Sequence, residues 1–419
     1  MRNKLQVFKV ISCTIIVLAL TLMTHAGAES LPMVQTPPIM LHAYEVLPEG
    51  ILVGPGYKIK NNVLNDGFIN TYEIDSVYGP LKVESTALLM IRINEINALQ
   101  RMEELKKSKV YKDAFKGALK GPLKTAKGIV TSPVKTVSGT VTGIGRWFSD
   151  IGRSVVSSDP HQEGVLKTAI GHAPATRKFA YEFGVDPYTS YEPLQKELKQ
   201  LAWTATGGGM TVKAAFGAIQ DTPGKVVRAT GTTAGMRMLI RDKSPAELEK
   251  INKKKLKAMG VSDSLAKEFL NNPYYNPQEE TLLVGALESM RGVRGRDLFI
   301  RYASLVNEES VALFMRLRAQ MMAGYNVKVA PVKRIVDVNG APFPQTKDGT
   351  VVGLFPLDYV AWTRALWLKH SAASMSLKAL PGVTGKELWI EGIVDQVARK
   401  VLEANGWKVE DNVGVKFRQ

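Results

Sequence analysis

Residues able to carry covalent chemistry are few in this chain. Ser264 and Lys267 have the S-x-x-K spacing in which a lysine activates a serine nucleophile, but no Lys-Thr-Gly motif accompanies them. Ser264 also lies at a predicted helix start, where serine is a favoured capping residue. The signatures of zinc proteases, serine hydrolases, phosphate-binding loops and dinucleotide-binding folds do not occur. We therefore favour the capping interpretation and identify no catalytic residue.

Metal and thiol chemistry have equally little support. The histidines after residue 28 are His42, His161, His172 and His370, which are widely separated, so we expect no metal centre. Cys13, the only cysteine, lies inside an N-terminal apolar run. If that run is removed, the mature chain has no disulfide and no thiol nucleophile. We predict no cofactor.

A basic, acid-free stretch occupies residues 114–149. Within it, residues 124–134 and 135–145 align as two 11-residue units, and eleven residues make three helical turns, so the repeat keeps one face in register. Lysines combined with an apolar face are typical of helices that lie on anionic membranes. The candidate membrane contacts are Lys116, Lys120, Lys124, Lys127, Lys135, Val137, Val141, Ile144, Trp147 and Phe148.

This repeat resembles the Gly/Thr-rich 11-residue repeats of synuclein- and perilipin-like lipid-binding proteins, over about 30 residues and at the level of pattern. Pro122 and Pro133 depart from that pattern, so the resemblance implies two or three short helices on lipid. The alternative interpretation is a connector, because Gly and Thr are poor helix formers in water. The sequence leaves both interpretations open.

Two side-chain groups in the C-terminal half could bind ligands. Six arginines could form an anion-binding patch, but charge clusters on helices are more often solvated faces. Six aromatic and methionine residues could line a groove, but such stripes are mostly core. The first group is Arg291, Arg294, Arg296, Arg301, Arg316 and Arg318, and the second is Met321, Met322, Phe355, Tyr359, Trp362 and Trp367.

Residues 1–28 have the pattern of a secretory signal peptide. Basic residues precede an apolar run at residues 10–23, and Ala26, Gly27 and Ala28 supply a small-x-small cleavage site. The alternative is an uncleaved anchor, but a core of about 14 residues is shorter than the roughly 20 that a spanning helix needs. We expect an exported protein, periplasmic or extracellular and peripheral on a membrane, which begins at Glu29 after cleavage.

Charge and length narrow the expected partners. The chain has 55 Lys and Arg residues against 39 Asp and Glu residues, a formal net charge of +16. An anionic membrane surface or another envelope polyanion is the expected partner, nucleic acid is not, and no protein partner is indicated.

A mature chain of about 391 residues is too long for one compact core and predicts two or three domains.

The predicted fold class is α+β. It comprises a small N-terminal antiparallel β domain with a covering helix, a Gly/Lys-rich amphipathic segment, and a larger mainly α-helical domain that ends in a small α/β element. The predicted divisions are residues 1–28 (signal peptide), 29–112 (β-rich domain plus helix), 113–160 (basic amphipathic segment or linker), 161–330 (α-helical domain) and 331–419 (mixed α/β part).

Several local signals support this division. Residues 31–41 contain three prolines and predict an extended linker, and Asn65-Asp66-Gly67 predicts a tight turn between strands. Residues 85–109 predict a helix. Further helices are predicted to start at Ser244, Ser262 and Pro277. Near the C-terminus, the predictions are paired strands at 332–338 and 351–355 joined by a loop, then a strand at 387–390, a helix at 394–404 and a strand at 407–413.

Two functional hypotheses follow. The first is a non-enzymatic envelope protein whose basic segment contacts a membrane and whose α-rich domain binds a partner or lipid. The second is a periplasmic or secreted hydrolase that uses carboxylates in the α-rich domain. A deep pocket holding two close, buried acids would favour the hydrolase, and a flat basic face continuous with residues 114–156 would favour the membrane protein.

Overall fold

The computed structural model describes residues 34–120, 144, 174–219 and 233–418. The strands are Ile39–His42 (β1), Val53–Gly54 (β2), Tyr57–Ile59 (β3), Asn62–Asn65 (β4), Asn70–Ser76 (β5), Leu81–Glu84 (β6), Val332–Val338 (β7), Ala341–Thr346 (β8), Thr350–Phe355 (β9), Tyr359–Val360 (β10), Gly385–Ile390 (β11), Ile393–Val394 (β12) and Lys408–Glu410 (β13).

Helices dominate the middle of the chain. They are Ala43–Val46 (α1), Thr86–Lys107 (α2), Lys109–Lys120 (α3), Pro174–Phe183 (α4), Glu192–Gly208 (α5), Val212–Gly217 (α6), Ala234–Asp242 (α7), Pro245–Ala258 (α8), Asp263–Leu270 (α9), Pro277–Ser289 (α10), Arg296–Ser304 (α11), Glu309–Lys328 (α12), Arg364–Ala379 (α13), Gln396–Ala404 (α14) and Gly414–Arg418 (α15). An antiparallel sheet, a helical region and a C-terminal sheet follow one another, which confirms the predicted α+β class.

The N-terminal sheet is antiparallel and is covered by α2. Its strand order is β1-β4-β5-β3-β2, and β6 pairs with β5 as well. Leu89, Ile96 and Leu99 of α2 are buried in one hydrophobic cluster with Tyr72 and Ile74 of the sheet. The predicted helix is therefore confirmed, although Ser108 ends it and α3 begins immediately afterwards.

The predicted linker at residues 31–41 is wrong for its last part. Ile39–His42 forms β1, which pairs with β4 from Ile39↔Asn65 to His42↔Asn62. Leu41 is buried under this sheet. The three prolines precede the strand, so they do not interrupt its hydrogen bonds.

The C-terminal sheet has the strand order β13-β11-β9-β8-β7. The predicted strand, helix and strand at its end form β11, α14 and β13, and β11 also pairs in parallel with β9. The predicted loop between β7 and β9 is wrong, because residues 341–346 form the strand β8 between them.

Two prolines hid the strand β8 from sequence analysis. Pro342 and Pro344 both lie in β8, yet β8 pairs with β7 over its whole length. The backbone N–H of Ile335, opposite Pro344, donates to the carbonyl of Arg294 and not to β8. The proline nitrogens therefore fall on the other side of β8, where the pairing with β9 is limited to Gln345↔Val351.

The N-terminal sheet and the C-terminal part are joined directly by hydrogen bonds. The predicted turn at Asn65-Asp66-Gly67 is present, and the carbonyl of Gly67 accepts a hydrogen bond from Ala361 N at 3.1 Å. The carbonyl of the next residue, Phe68, accepts from Tyr359 N at 3.3 Å. Residues 35–419 belong to one compact unit. The predicted domain boundaries remain predictions.

Candidate active site

A cleft of about 880 Å³ lies between the N-terminal sheet region, the helical region and the C-terminal strands. Its walls come from α2, the loop between α4 and α5, α7, α10 and α12, and from the loops that follow β9 and β11. Seven acidic side chains and five arginines line it within a mainly apolar surface, so the cleft suits a ligand that has both apolar and polar groups. These segments are far apart in sequence, and only the tertiary fold brings them together.

Asp186 is the central acidic group of the cleft wall. It follows Gly184, whose positive φ of 71° turns the chain out of α4. One carboxylate oxygen of Asp186 accepts a hydrogen bond from Tyr188 N at 2.8 Å, and the other accepts one from Asn276 Nδ2 at 2.8 Å. Burial, reinforced by the negative charge of Glu279, raises the pKa of Asp186 to about 7. Both protonation states of Asp186 are therefore populated near neutral pH.

Asn276 links Asp186 to a second carboxylate. Its Oδ1 accepts hydrogen bonds from the backbone N–H groups of Gln278 and Glu279, each at 2.9 Å, which caps α10, while its Nδ2 binds Asp186. Glu279 also accepts hydrogen bonds from Arg316 Nε at 2.9 Å and Nη2 at 3.4 Å. This fork uses two of the roughly four acceptor positions of the carboxylate, so Glu279 retains acceptor capacity.

A third carboxylate, Glu95 of α2, fixes the loop that carries Asp186. Glu95 forms an ion pair with Arg92 and accepts a hydrogen bond from Thr189. Arg92 Nη2 donates to Ser190 Oγ at 3.2 Å. The loop is thus held by α2 on one side and by Asn276 on the other, so two other segments of the chain set the position of the Asp186 carboxyl.

Asp358 also lines the cleft, but its contacts are structural. Its Oδ2 accepts a hydrogen bond from Asn70 N at 2.9 Å, and its Oδ1 accepts one from Thr86 N at 3.0 Å. Burial raises the pKa of Asp358 to about 6. These two hydrogen bonds connect the C-terminal part to β5 and to the start of α2, so Asp358 holds these segments together.

The sequence-predicted membrane contacts lie only partly within the described residues. Lys116 and Lys120 are exposed on α3. Ile144 is only 2% exposed and belongs to a hydrophobic core cluster, so in this conformation its side chain does not face outward. Lys124, Lys127, Lys135, Val137, Val141, Trp147 and Phe148 lie outside the described residues. The membrane-contact assignment as a whole remains a prediction.

The arginine group forms neither an anion-binding patch nor one solvated face. Arg316 is buried against Glu279 at the cleft, and Arg318 is fully buried. Arg318 Nε donates to Leu354 O at 3.0 Å and its Nη2 donates to Pro342 O at 2.8 Å, while its guanidinium stacks over Phe355. Backbone carbonyls of the sheet thus accept the hydrogen bonds of the Arg318 side chain. The helical periodicity of the sequence could not indicate these partners. Arg291, Arg294 and Arg301 are exposed, and Arg296 is partly buried.

The other sequence candidates have structural positions. Four members of the aromatic and methionine group lie in the core, as the sequence interpretation favoured: Met321, Met322, Phe355 and Trp362. Tyr359 is partly buried, and Trp367 is 45% exposed. Capping of α9 is done by Ser262, whose Oγ accepts from Leu265 N at 3.3 Å, so the capping role expected for Ser264 is wrong. Ser264 and Lys267 are both exposed on α9.

Among the described residues, no group of three or more His, Cys, Asp or Glu side chains could hold a metal ion, and no helix is long and apolar enough to cross a membrane. Compared with protein families, with curated proteins and with solved structures, the chain shows no match. The cleft residues Asp186, Glu95 and Glu279 were not singled out in the sequence. The one local signal was the helix start at Pro277, which puts Glu279 in the first turn of α10.

Proposed function

We propose that this protein is a hydrolase that uses carboxylate acid–base catalysis in the cleft, with Asp186 as the proton donor. The observation that carries this proposal is geometric: the Asp186 carboxyl is joined through Asn276 to the first turn of α10, which carries Glu279, and both acids line one large cleft. Burial and the charge of Glu279, which raise the pKa of Asp186 to about 7, support the role of proton donor.

The environments of Asp186 and Glu279 suit different roles. Protonated Asp186 gives its proton to the leaving-group oxygen as the bond breaks. Glu279, oriented by Arg316, uses its remaining acceptor positions to take a proton from the attacking water. At the end of this step Asp186 has lost its proton and Glu279 holds the proton taken from water. Release of the proton from Glu279 and uptake of one by Asp186 restore the starting state, because burial and the negative charge of Glu279 favour the protonated form of Asp186.

Glycosides are the substrate class that this arrangement fits best. Hydrolysis of a glycosidic bond needs one carboxylic acid to protonate the leaving group and one carboxylate to act on the opposite side, and Asp186 and Glu279 are our candidates for these two roles. The side chain of Tyr274, which also lines the cleft, offers an apolar face of the kind on which a sugar ring can rest, whereas the Arg241 guanidinium already covers one face of Tyr181.

The test is hydrolysis of a panel of chromogenic glycosides and soluble cell-wall glycans by the full chain. Asp186→Asn and Glu279→Gln are each expected to lower kcat/KM by about 100-fold or more, the usual contribution of a general acid or base. Asp75→Asn removes an exposed carboxylate of β5 outside the cleft and is expected to leave activity unchanged. Full activity of Asp186→Asn, or no hydrolysis of any glycoside, would refute the assignment.

We also propose, as a second candidate function, that the exported protein contacts an anionic membrane through α3 and the basic segment that follows it. The specific observation is a row of exposed lysines, Lys112, Lys116 and Lys120, on the solvent side of α3. Each lysine near an anionic surface contributes about 1 kcal/mol. Changing Lys116, Lys120, Lys124 and Lys127 to Glu should abolish low-salt binding to phosphatidylglycerol vesicles, and Val137→Asp and Val141→Asp should weaken it. If the wild-type protein does not bind such vesicles at low salt, this second function is refuted.

A further inference from the structure

The outer face of α13 is unusually apolar for a surface helix. Leu366 and Leu377 are its buried residues, and they lie on the side that packs against the rest of the protein. Trp367, Leu368 and Met375 point the other way, with 45%, 48% and 69% of their surfaces exposed. At 100° per residue these three side chains fall within one third of the helix circumference, so they share one face, with Met375 about two turns beyond Trp367.

The two exposed charged side chains of α13 are both positive. The sequence of α13 contains no Asp or Glu, and it carries Arg364 and Lys378 among its exposed residues. Within the described residues, neither of these two side chains forms an ion pair. Two exposed cationic side chains thus flank an exposed apolar stripe.

We propose that α13 is a membrane-contact helix that lies on an anionic phospholipid surface. Trp367, Leu368 and Met375 would enter the region between headgroups and acyl chains, and Arg364 and Lys378 would meet the phosphates. Charge complementarity selects this partner, because an acid-free helix with a Trp-containing apolar stripe matches the interface of an anionic bilayer. The proposal stands apart from the cleft chemistry and from the lysine row of α3.

The test is cosedimentation of the full chain with phosphatidylcholine vesicles that contain phosphatidylglycerol. The triple variant Trp367→Ser/Leu368→Ser/Met375→Ser should bind about 10- to 100-fold more weakly, since moving each large apolar side chain out of water is worth up to about tenfold. The matched control is Val53→Ser/Val77→Ser, which removes two side chains that are 62% and 68% exposed near the N-terminal sheet, and its binding should equal that of wild type. Because Trp367 and Leu368 are about half buried, the folded state of each variant is checked by circular dichroism at the temperature of the binding assay.

A second measurement reports directly on Trp367. Brominated phosphatidylglycerol should quench part of the wild-type tryptophan fluorescence, and that part should be missing in Trp367→Phe. Acrylamide should quench the same component before vesicles are added and should lose access to it afterwards. Protection of Trp367 from acrylamide in the absence of vesicles would show that another part of the chain already covers the patch, and this would overturn the proposal.

Three other results would also overturn it. Binding of the triple variant at the wild-type level would exclude α13, and if Lys116→Glu/Lys120→Glu then loses binding, the contact belongs to α3 alone. Equal binding of wild type to pure phosphatidylcholine would exclude recognition of anionic lipid. Self-association that disappears in the triple variant, measured by sedimentation velocity, would assign the patch to a second copy of the chain.

Discussion

Replacement of Asp186 by Asn should change how the stability of the protein depends on pH. The pKa of Asp186 is about 7 in the folded protein against an ordinary value of 3.8 for an unfolded chain. Between these values the folded state holds a proton that the unfolded state has lost. The stabilisation from this group is therefore fully present below pH 3.8 and is lost as the pH rises through about 7.

The gap between the two pKa values sets the magnitude. At 1.36 kcal/mol per pH unit, the wild-type free energy of unfolding should fall by up to about 4 kcal/mol relative to the variant as the pH rises. Asn cannot titrate, so this fall is absent from the variant. In Asp186→Asn, the new side-chain NH2 group would face Nδ2 of Asn276, so two donors would meet and the hydrogen bond between these side chains would be lost. This loss should lower the free energy of unfolding by about 1 kcal/mol at every pH.

The assay is urea unfolding followed by circular dichroism, from about pH 4 to about pH 8, for wild type, Asp186→Asn and the control Asp75→Asn. The difference between wild type and Asp186→Asn should change steadily across this range, whereas the difference for Asp75→Asn should stay small, because Asp75 is exposed. A pH-independent difference for Asp186→Asn would mean that its pKa is ordinary, and the acid role of Asp186 would fall with it.

Three further outcomes follow from single features of the chain. A methyl group on Gly208 would lie 1.9 Å from the carbonyl oxygen of Ala114, so Gly208→Ala should lower the free energy of unfolding by about 2–3 kcal/mol through the contact between α3 and α5. The control is Gly217→Ala, whose methyl group meets nothing within 4 Å and should be neutral or mildly stabilising. Urea unfolding measures both variants. Asp358→Ala strands two backbone N–H groups and should lower stability by about 2–4 kcal/mol, and a loss below about 0.5 kcal/mol would contradict the connecting role of Asp358. The intact mass of the exported protein should correspond to a chain that begins at Glu29, and a mass for the full chain would contradict signal cleavage.

The sequence predicted local structure well where a short motif is sufficient for it. Ser244 and Glu247 form the capping box expected at the start of α8, and Ser262 and Asn276 cap the next helices with their side chains. These signals work because each cap satisfies backbone N–H groups only two or three residues away. The strand β8 was not predicted because two prolines usually exclude a strand. They are accommodated here because their nitrogens lie on the side of β8 that pairs with β9 at only one position, away from the full pairing with β7.

The candidate site could not be predicted in the same way. Asp186 and Glu279 are ordinary acids in sequence, and their chemistry comes from burial and from proximity across three elements. Arg318 illustrates the same limit, since helical periodicity places it with exposed arginines while the sheet supplies carbonyl partners for it. The two carbonyl acceptors of Arg318 belong to Leu354 and Pro342, which are far from it in sequence, so no local sequence pattern could predict them.

By itself, the sequence determined the α+β class, the helix starts, the tight turns and the cationic composition, because these depend on near neighbours and on residue types alone. Only the tertiary structure decided that Asp186 meets Asn276 and Glu279 in one cleft, and that α13 exposes Trp367 while Trp362 is buried. The physical reason is that pKa values and exposure are set by whatever surrounds a group in space, and in this chain those surroundings come from segments far apart in sequence.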